Sequence, residues 1–393
     1  MTEFLIKLFI KEDKNLSNTK VRENYGKMAS IAGIASNLFL FIIKISAGTI
    51  FKSISITADA INNLSDCGSS VVSLMGFKMS GKPADVKHPY GHARMEYISG
   101  LIVSLIVIFL GMQLVKSSID KILQPQTAEF SIISVTVLVV AILIKLWQFL
   151  FYKKIGDKIH STTLTATSID SRNDILATSA VLVSIVVSYF SGYNFDGYMG
   201  AIVAVIIIIS GISLVMDTTS PLLGLAPSKE FVDAIYKKIL TYDNIIGLHD
   251  LTVHSYGSGQ YFASVHCEVP AEQDIMISHD VIDNIERDFM NEQGVHLVIH
   301  LDPVVTSDEK TNKLKNTLQA EIYKISKEIS MHDFRVVFGT THSNLIFDIV
   351  VPFDFKWNDE EIISVISERV SQLDSKYYSV ITVDHDYLPP NYG

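Results

Sequence analysis

The chain has 393 residues, of which 48% are hydrophobic and 19% are charged, and its formal net charge at pH 7 is −10. This composition is too apolar for an ordinary soluble protein, and the negative balance argues against nucleic acid as a partner. Two cysteines, Cys67 and Cys267, are too few for a disulfide framework. Because the long apolar runs are concentrated before residue 220, we expect a membrane half followed by a soluble half.

Residues 1–25 are predicted to form a cytoplasmic N-terminal segment, and residues 26–220 a transmembrane domain surrounded by lipid. The apolar start FLIKLFI is too short to cross a bilayer, and no small-residue cleavage site follows it, so we expect no removable signal peptide. A helix needs about 20 apolar residues to cross the hydrocarbon. Six segments meet this requirement, at roughly 27–50, 54–79, 98–119, 130–152, 163–191 and 197–217.

The loops between the spans predict their orientation. Lysine and arginine are frequent in the N-terminal segment and in the connections after the second and fourth spans, whereas the connection SGYNFDG before the sixth has neither. Basic residues favour the cytoplasmic side of a membrane. We therefore expect a multi-pass protein of the cell membrane with both termini in the cytoplasm, although Lys52, Lys116 and Lys121 are exceptions.

Two of the predicted spans carry polar side chains where lipid contact would require apolar ones. Asn62 and Asp66 lie in the second span, and Asp170 and Asp174 lie in the fifth. A spacing of four places both members of a pair on one face of a helix, about 6 Å apart along its axis. Because the two helices run antiparallel and both pairs fall near mid-membrane, we predict that the four side chains converge.

The four converging side chains predict a site for a divalent cation. One isolated charge at the membrane centre costs at least ~3 kcal/mol, and three carboxylates repel one another unless a cation or protons neutralise them. Carboxylate and amide oxygens suit magnesium, calcium, manganese or ferrous iron, whereas zinc sites more often include histidine or cysteine. Protons are expected to replace a departing metal ion, which predicts metal–proton exchange.

The polar residues of the spans could instead have a structural role. The acids could form a structural ion pair with Arg172, or hydrogen bonds between helices. Asn63 and Asn173 are alternative ligands, since a spacing of three also shares a helix face. Asp59, nearer the outer end of its helix, is expected either to stabilise helix packing or to line the outward path.

Residues 221–304 are predicted to form a cytoplasmic α+β domain. Apolar positions recur at helical spacing in KEFVDAIYKKILTY and SHDVIDNIERDFMNEQG, and the segments LHDLTVHSYG, YFASVHCEVP and VHLVIHLDP are typical of strands. Residues 305–393 repeat the order helix, strand, strand, helix, strand. LHDLTVHSYG pairs with MHDFRVVFGT, and ASVHCEVP pairs with IFDIVVP, which indicates a tandem duplicate.

The duplicate differs from the first copy at positions that can bind metal. Asp348 takes the place of His266, and Asp384 lies near the place of His300. We therefore expect the second copy to serve packing or dimer contacts rather than metal binding.

Together these features resemble the cation diffusion facilitator family. The resemblance covers about residues 25–304 and includes six spans, the acidic pairs, the connection ADVKHPYGHARMEYISGL and the tail motifs HDLTV, VHCEV and VIHLDP. It implies an α-helical membrane protein with six transmembrane helices and an α+β ferredoxin-like cytoplasmic domain, here followed by a second tandem ferredoxin-like repeat. Family members are divalent-metal/proton antiporters, usually homodimers, that export metal from the cytoplasm.

The resemblance also implies the transported ion. Zinc-type members have histidine where this chain has Asp170, so the set of Asn62, Asp66, Asp170 and Asp174 looks like the manganese-exporting branch. Export of ferrous iron or zinc is the alternative within the family, because the stability order of metal complexes favours later metals at any given site.

Secondary metal sites are implied in addition. Asp85, His88 and His92 match a peripheral site of some zinc-type relatives, although HPYGH is also a turn-forming sequence whose histidines can bond to backbone groups. In the tail, the positions that some relatives use for cytoplasmic metal sites are His249, His266, His279, His300 and Asp302. The alternative is that these histidines and strand-end acids are solvated or hydrogen-bonded.

Functions outside transport fit the sequence less well. An intramembrane aspartyl protease also uses aspartates from two helices, but the Gly-x-Gly-Asp motif is absent. A membrane metal sensor that transports nothing would need an output module, and neither a kinase signature nor a DNA-binding helix pair occurs. Glycine-rich phosphate loops are missing too, so no nucleotide is expected as a partner. The sequence therefore predicts a secondary transporter and not an enzyme.

Overall fold

The computed structural model describes residues 19–50, 54–124, 132–191, 195–257 and 259–386, and three isolated positions before residue 11. The side chains of Asp59 and Asn62 are among those that lie outside the described residues. The chain divides into two compact units. The first comprises residues 1–225 with 256–260, and the second comprises residues 226–255 with 261–393.

The described part of the first unit is built from six long helices. They are α1 (Thr19–Ile50), α2 (Ile54–Ser80), α3 (Met95–Leu123), α4 (Ile132–Ile159), α5 (Thr162–Ser191) and α6 (Asp196–Leu223). All except α2 contain stretches long and apolar enough to cross a membrane, as judged over the described residues. The unit is thus a membrane domain with about five apolar helices. α2 is 27 residues long but holds the polar segment DAINNLSD, which lowers its hydropathy.

The helices extend beyond several of the predicted spans. α4 continues to Ile159 rather than ending near residue 152, because the charged segment KKIGDKI keeps a helical pattern beyond the apolar run. Ile155 and Ile159 in this segment are fully buried and lie four residues apart on one helix face. Hydropathy marks only the part of a helix that fits the hydrocarbon, so the helix itself is longer.

Glycines allow two of the membrane helices to approach closely. α3 packs along α6, and a Cβ added at Gly111 of α3 would lie 2.8 Å from Ile208 of α6. In the opposite direction, a Cβ added at Gly211 would lie 2.6 Å from Ile108. Backbones this close leave no room for a side chain, which explains the small residues at this contact between membrane helices.

The second unit contains two successive sets of elements within the described residues. The first module is α7 (Lys229–Ile239), β1 (Gly247–Ser255), β2 (Tyr261–Pro270), α8 (Ile275–Gln293) and β3 (Val295–Val304). The second module is α9 (Glu309–Ile325), β4 (Ser330–Phe338), β5 (Ser343–Pro352), α10 (Asp359–Leu373) and β6 (Tyr377–Asp386). In each three-stranded sheet the first two strands are antiparallel and the third is parallel to the second. Each module buries its own apolar core.

Polar caps determine where the four helices of the modules begin. Ser228 and Asp274 accept hydrogen bonds from backbone N–H groups in the first turns of α7 and α8. Asp308 does the same for α9, and Asn358 forms a complete capping box with Glu361 at the start of α10. These side chains satisfy N–H groups that have no partner inside the helix, so the same start signal recurs in both modules.

The two sheets share the register of their antiparallel strands. β1 pairs His249 with His266 of β2, and β4 pairs His332 with Asp348 of β5. Asp348 therefore stands in the second module where His266 stands in the first. The two registers agree because the strands of each hairpin are separated by nearly the same number of residues.

The third strand of the second module corrects one prediction. β6 places Thr382, and not Asp384, in the position that His300 has in β3. Asp384 corresponds instead to Asp302, two residues further along the strand. The paired residues of the second and third strands lie 34 positions apart in both modules, so the spacing counted from Asp348 also leads to Thr382.

A bulge follows the buried histidine in the first strand of each sheet. The register shifts at Asp250 in β1 and at Asp333 in β4. Both aspartates have a left-handed backbone, with φ of 53° and 52°. This region is unfavourable for residues with a Cβ, although aspartate occurs there more often than most. Both modules thus keep the same irregularity at the same place.

A carboxylate fixes the connection between the two modules. Glu272, just after β2, accepts hydrogen bonds from the backbone N–H groups of Thr306 and Ser307 at 3.0 and 2.9 Å, and from the Thr306 hydroxyl at 3.0 Å. The hydrogen bonds from Ser307, followed by that from Thr306, lower the pKa of Glu272 to about 2. The charged form therefore holds the connection at neutral pH.

Replacing Glu272 with glutamine is expected to loosen residues 304–308. The lowered pKa means that the carboxylate contributes stability above its ordinary pKa of 4.5, and that this contribution is lost as the pH falls through about 2. At pH 7, hydrogen exchange at the amides of Thr306 and Ser307 should be several-fold faster in Glu272→Gln than in the wild type. Glu230→Gln, at an exposed glutamate, is the matched control. Equal protection in the two variants would contradict the prediction.

Candidate metal centre

Three of the four predicted ligands meet between α2 and α5. Asp66 of α2 and Asp170 and Asp174 of α5 each offer an oxygen, and these oxygens all lie within 4.8 Å of one another. Asp66 and Asp170 are buried, and the Asp174 side chain is 26% exposed. The side chain of Asn62, the fourth predicted ligand, lies outside the described residues. The structure therefore brings the three acids to one place.

A lysine outside the predicted set lies among the acids. Lys145 of α4 donates hydrogen bonds from its Nζ to Asp66 Oδ2 at 2.7 Å and to Asp174 Oδ2 at 2.6 Å, and its side chain is buried. When all groups are ionised, the three carboxylates and the Lys145 ammonium leave a net charge of −2, and the buried Lys44 of α1 adds a further positive charge that acts on Asp174. The sequence could have indicated this residue, because Lys145 is a single lysine inside the apolar segment AILIKLWQF. Charged residues within a membrane span are rare and usually functional.

Among the described residues, Arg172 does not make the structural ion pair that the sequence offered as an alternative. Its guanidinium donates a hydrogen bond to the Ser210 hydroxyl of α6 at 3.1 Å. The ion pairs of Asp66 and Asp174 are formed with Lys145 instead. An ion pair is thus present in the cluster, but with a different partner.

The two alternative amide ligands are buried beside the acids in the chain. Asn63 donates from Nδ2 to Asp66 Oδ2 at 3.2 Å, while its Oδ1 has no hydrogen-bond partner among the described residues. Within the same described residues, neither amide atom of Asn173 has a hydrogen-bond partner. Leaving a buried polar atom unsatisfied costs roughly 1–3 kcal/mol unless water or a ligand completes it. An unused amide oxygen is therefore available on each of the two helices.

Small polar side chains continue from the acids along α2 and α5. The hydroxyls of Ser73 and Thr167 lie 3.3 Å apart, and both residues are buried. Further along, the Thr163 hydroxyl lies 3.1 Å from the Ser99 hydroxyl and donates to the Glu96 carbonyl at 2.6 Å. These residues form a polar line from the acids towards the connections that follow α2 and α4.

A cavity lies at the same end of the membrane unit. Its volume is about 200 Å³, and it is bounded by the end of α4, the start of α5 and the last turns of α6. Asp157, His160, Asp217 and Thr218 are among its lining residues. Two carboxylates at an open mouth favour cations over anions in the space between them.

The connection after α2 brings Asp85, His88 and His92 together. Asp85 Oδ1 lies 3.3 Å from His88 Nδ1, and Asp85 Oδ2 lies 3.4 Å from His92 Nε2. The same residues also build a turn, since the backbone N–H groups of His88 and Lys87 donate to Asp85 and lower its pKa. His92 Nδ1 lies 3.1 Å from the Pro83 carbonyl. The same residues thus form both a cluster of potential metal ligands and a turn. The peripheral metal site stays a prediction.

Four of the five predicted tail residues form a cluster in the first module. His249 Nε2 and His266 Nδ1 lie 3.3 and 2.9 Å from Asp302 Oδ2. His300 Nε2 lies 3.2 Å from Asp302 Oδ1. His279 is exposed on α8 and belongs to none of the metal-binding groups found among the described residues. The structure therefore separates His279 from the other four.

Two family models match most of the chain. The cation efflux transmembrane domain matches residues 30–223, and the cytoplasmic domain of cation efflux proteins matches residues 227–304. An uncharacterized transporter from Methanocaldococcus jannaschii is 31% identical over 271 residues, which cover 66% of this chain and 95% of that transporter. The chain belongs to the cation diffusion facilitator family. Members of this family are divalent-cation efflux transporters and not enzymes, so the protease alternative is wrong.

Two named members of the cation diffusion facilitator family are similar over the same region. The manganese efflux system protein MneS of Bacillus subtilis is 27% identical over 280 residues, which cover 71% of this chain and 96% of MneS. The cation-efflux pump FieF of Pectobacterium atrosepticum is 25% identical over 285 residues, which cover 72% of this chain and 95% of FieF. The chain is thus a multi-pass membrane protein with a cytoplasmic domain, and residues 305–393 lie beyond both matched family models.

Replacing Lys145 with methionine is expected to destabilise the metal-free protein. Methionine has a similar volume but no charge, and removing one partner of a buried ion pair costs roughly 3–5 kcal/mol. A divalent cation should recover much of the loss, because it supplies the missing positive charge. Thermal unfolding in detergent, with a chelator and then with Mn²⁺, measures both effects. Lys153→Met, at an exposed position of the same helix, is the control. A loss of thermal stability in Lys145→Met that Mn²⁺ does not reduce would contradict this prediction.

Proposed function

We propose that this protein exports Mn²⁺ from the cytoplasm in exchange for protons, by alternating access to one site in the membrane. The observation that carries the proposal is the group of Asp66, Asp170 and Asp174, whose oxygens lie within 4.8 Å of one another. With Asn62 added, as the sequence predicts, the ligand set consists of oxygens alone. Membership of a cation efflux family supports the reaction class.

Manganese is the preferred ion in this proposal. Carboxylate and amide oxygens are hard ligands, and Mn²⁺ binds well to sets of oxygens without nitrogen or sulfur. The name of one relative, the manganese efflux system protein MneS, supports the same ion. Ferrous iron or zinc is the alternative substrate, because the later metals bind more tightly to any given site.

Lys145 supplies a physical reason for proton exchange. Its ammonium group neutralises part of the charge of Asp66 and Asp174, and the cluster keeps a net charge of −2 when all groups are ionised. One Mn²⁺ or two protons would cancel this charge. A metal ion that enters the site therefore displaces protons, and protons return when it leaves. This balance makes the exchange nearly electroneutral.

The cavity beside α4, α5 and α6 is proposed as the cytoplasmic entrance. Its carboxylates, Asp157 and Asp217, would concentrate cations at the mouth. From there, the line of hydroxyls that includes Thr163 and Thr167 leads towards Asp170 on the same helix. A hydrated cation needs such oxygens to replace its water shell in steps as it moves into the membrane.

The proposed architecture completes the transporter. α2 is proposed as the sixth span, since its 27 residues measure about 40 Å at 1.5 Å per residue and its described polar side chains from Asn63 onward are mostly buried. Basic loops support both termini in the cytoplasm. The repeated order α–β–β–α–β supports two ferredoxin-like modules in tandem, over residues 221–304 and 305–393. We propose a homodimer, supported by the match to the family's cytoplasmic domain.

Metal in the peripheral and tail clusters is proposed to regulate transport. The peripheral cluster consists of Asp85, His88 and His92. The tail cluster consists of His249, His266, His300 and Asp302. Both contain imidazole nitrogen, unlike the transport site, so they would respond to a different range of metal concentrations.

The identity of the ion is tested by Asp170→His. An imidazole ligand favours zinc relative to manganese, so the ratio of Zn²⁺ to Mn²⁺ uptake into proteoliposomes is expected to rise about tenfold, equivalent to about 1.4 kcal/mol. Asp120→His, at an exposed position of α3, controls for the added histidine. An unchanged ratio in Asp170→His would remove ligand hardness as the basis of selectivity.

The coupling to protons is tested with the wild type and Asp174→Asn. Mn²⁺ uptake into proteoliposomes is expected to increase when the proton concentration is higher inside the vesicles than outside. It is expected to change little with membrane potential. Asp174→Asn should abolish uptake, because it removes both a metal ligand and a proton acceptor. Mn²⁺ transport that does not depend on the proton gradient would contradict metal–proton exchange, although it would not contradict metal transport itself.

A further inference from the structure

The second module contains a group of potential metal ligands of its own. One ligand atom each of His332, Asp333 and Asp348 lies within 4.8 Å of the other two. Asp384 Oδ2 lies 3.6 Å from His332 Nε2. These residues come from β4, β5 and β6, so the three strands of one sheet hold the group together. None of them belongs to the ligand set that the sequence predicts for the tail.

His332 is a buried histidine of β4. Only 6% of the residue is exposed, and neither of its ring nitrogens has a hydrogen-bond partner in the part of the chain that the structure describes. Its Nε2 faces carboxylates of Asp384 and Asp250, but at 3.6 and 3.9 Å these are too far for hydrogen bonds. Nitrogen and oxygen ligands about 2.0–2.2 Å from one metal ion lie about 3.0–3.5 Å from each other. The spacing is therefore close to that of groups that share an ion.

His332 also belongs to a second group, with His249 and Asp250 of the first module. The rings of His332 and His249 stack, with centroids 4.4 Å apart. Asp250 Oδ1 lies 3.9 Å from His332 Nε2, and in return Asp333 Oδ1 lies 3.7 Å from His249 Nε2. His249 is also buried, and its Nε2 has no hydrogen-bond partner among the described residues. Such reciprocal contacts are what an approximate two-fold axis between equivalent modules produces.

The side chains of Asp250 and Asp333 are positioned by an energetically unfavourable backbone conformation. Asp250 and Asp333 lie in bulges with left-handed φ values of 53° and 52°. A bulge can re-aim a side chain, and an unfavourable backbone angle persists only where other interactions compensate for it. The same angle at both equivalent positions indicates that each side chain has a role in the shared space.

We propose that the second module binds a divalent transition-metal ion through His332, Asp333 and Asp348. One imidazole nitrogen and two carboxylates suit Mn²⁺, Fe²⁺, Co²⁺ or Zn²⁺. The change from the His266 position to Asp348 exchanges one ligand type for another, and so keeps the site.

The test counts metal ions on the full-length protein in detergent. Asp174→Asn serves as the background, because it removes the membrane site from the count and separates this proposal from that of export. After treatment with a chelator and dialysis against Mn²⁺, bound ions are counted by mass spectrometry. His332→Asn is expected to bind one ion fewer per chain than the background. His342→Asn, at an exposed histidine of the same module, should bind the same number.

Two changes at Asp348 keep the test decisive if His332→Asn does not fold. Asp348→Asn should lose one ion, whereas Asp348→His, which restores the residue type of the first module, should keep it. Circular dichroism of the metal-free proteins establishes which variants are folded. Equal ion counts in the background and in a folded His332→Asn or Asp348→Asn variant would overturn the proposal. An equal loss in His342→Asn would do the same.

Discussion

Three carboxylates held together among apolar helices require positive charge, and the membrane unit is arranged around that requirement. Asp66, Asp170 and Asp174 come from two helices, and a third helix contributes Lys145. Most of the polar residues of α2 that the structure describes, including Asn63 and Asp66, are buried within the unit for the same reason. Each member of the cluster would be unfavourable alone in the hydrocarbon, so the helices that carry them depend on one another.

The two units offer different types of potential metal ligands. The membrane cluster offers carboxylate oxygens beside a lysine, and its charge can be balanced by either metal or protons. The clusters of the second unit combine imidazole with carboxylate, which binds later transition metals more tightly. A weak site suits an ion that must leave again, whereas a tight site suits an ion that stays. This contrast is consistent with transport in the membrane and regulation in the cytoplasm.

Periodicity predicts the helices and strands well because each element buries one face, and the four-residue spacing of the acids predicts their convergence. Lys145 cannot be placed in the same way, since one lysine in an apolar run does not show which helix it will meet. The position of Thr382 follows from the sequence once the strands are aligned, because it lies 34 residues after Asp348, as His300 lies after His266. The role of His332 is hidden, because residue-by-residue comparison of the repeats does not show that equivalent histidines stack on each other.

The contact between α3 and α6 bears on how the proposed transport site would open to either side. Gly111 and Gly211 bring these backbones so close that a shift along the helix axis would drive Ile108 or Ile208 into the opposite helix. Under the proposed alternating access, the two helices would therefore move together. Tilting would be left to α1, α2, α4 and α5, three of which hold the acids and the lysine.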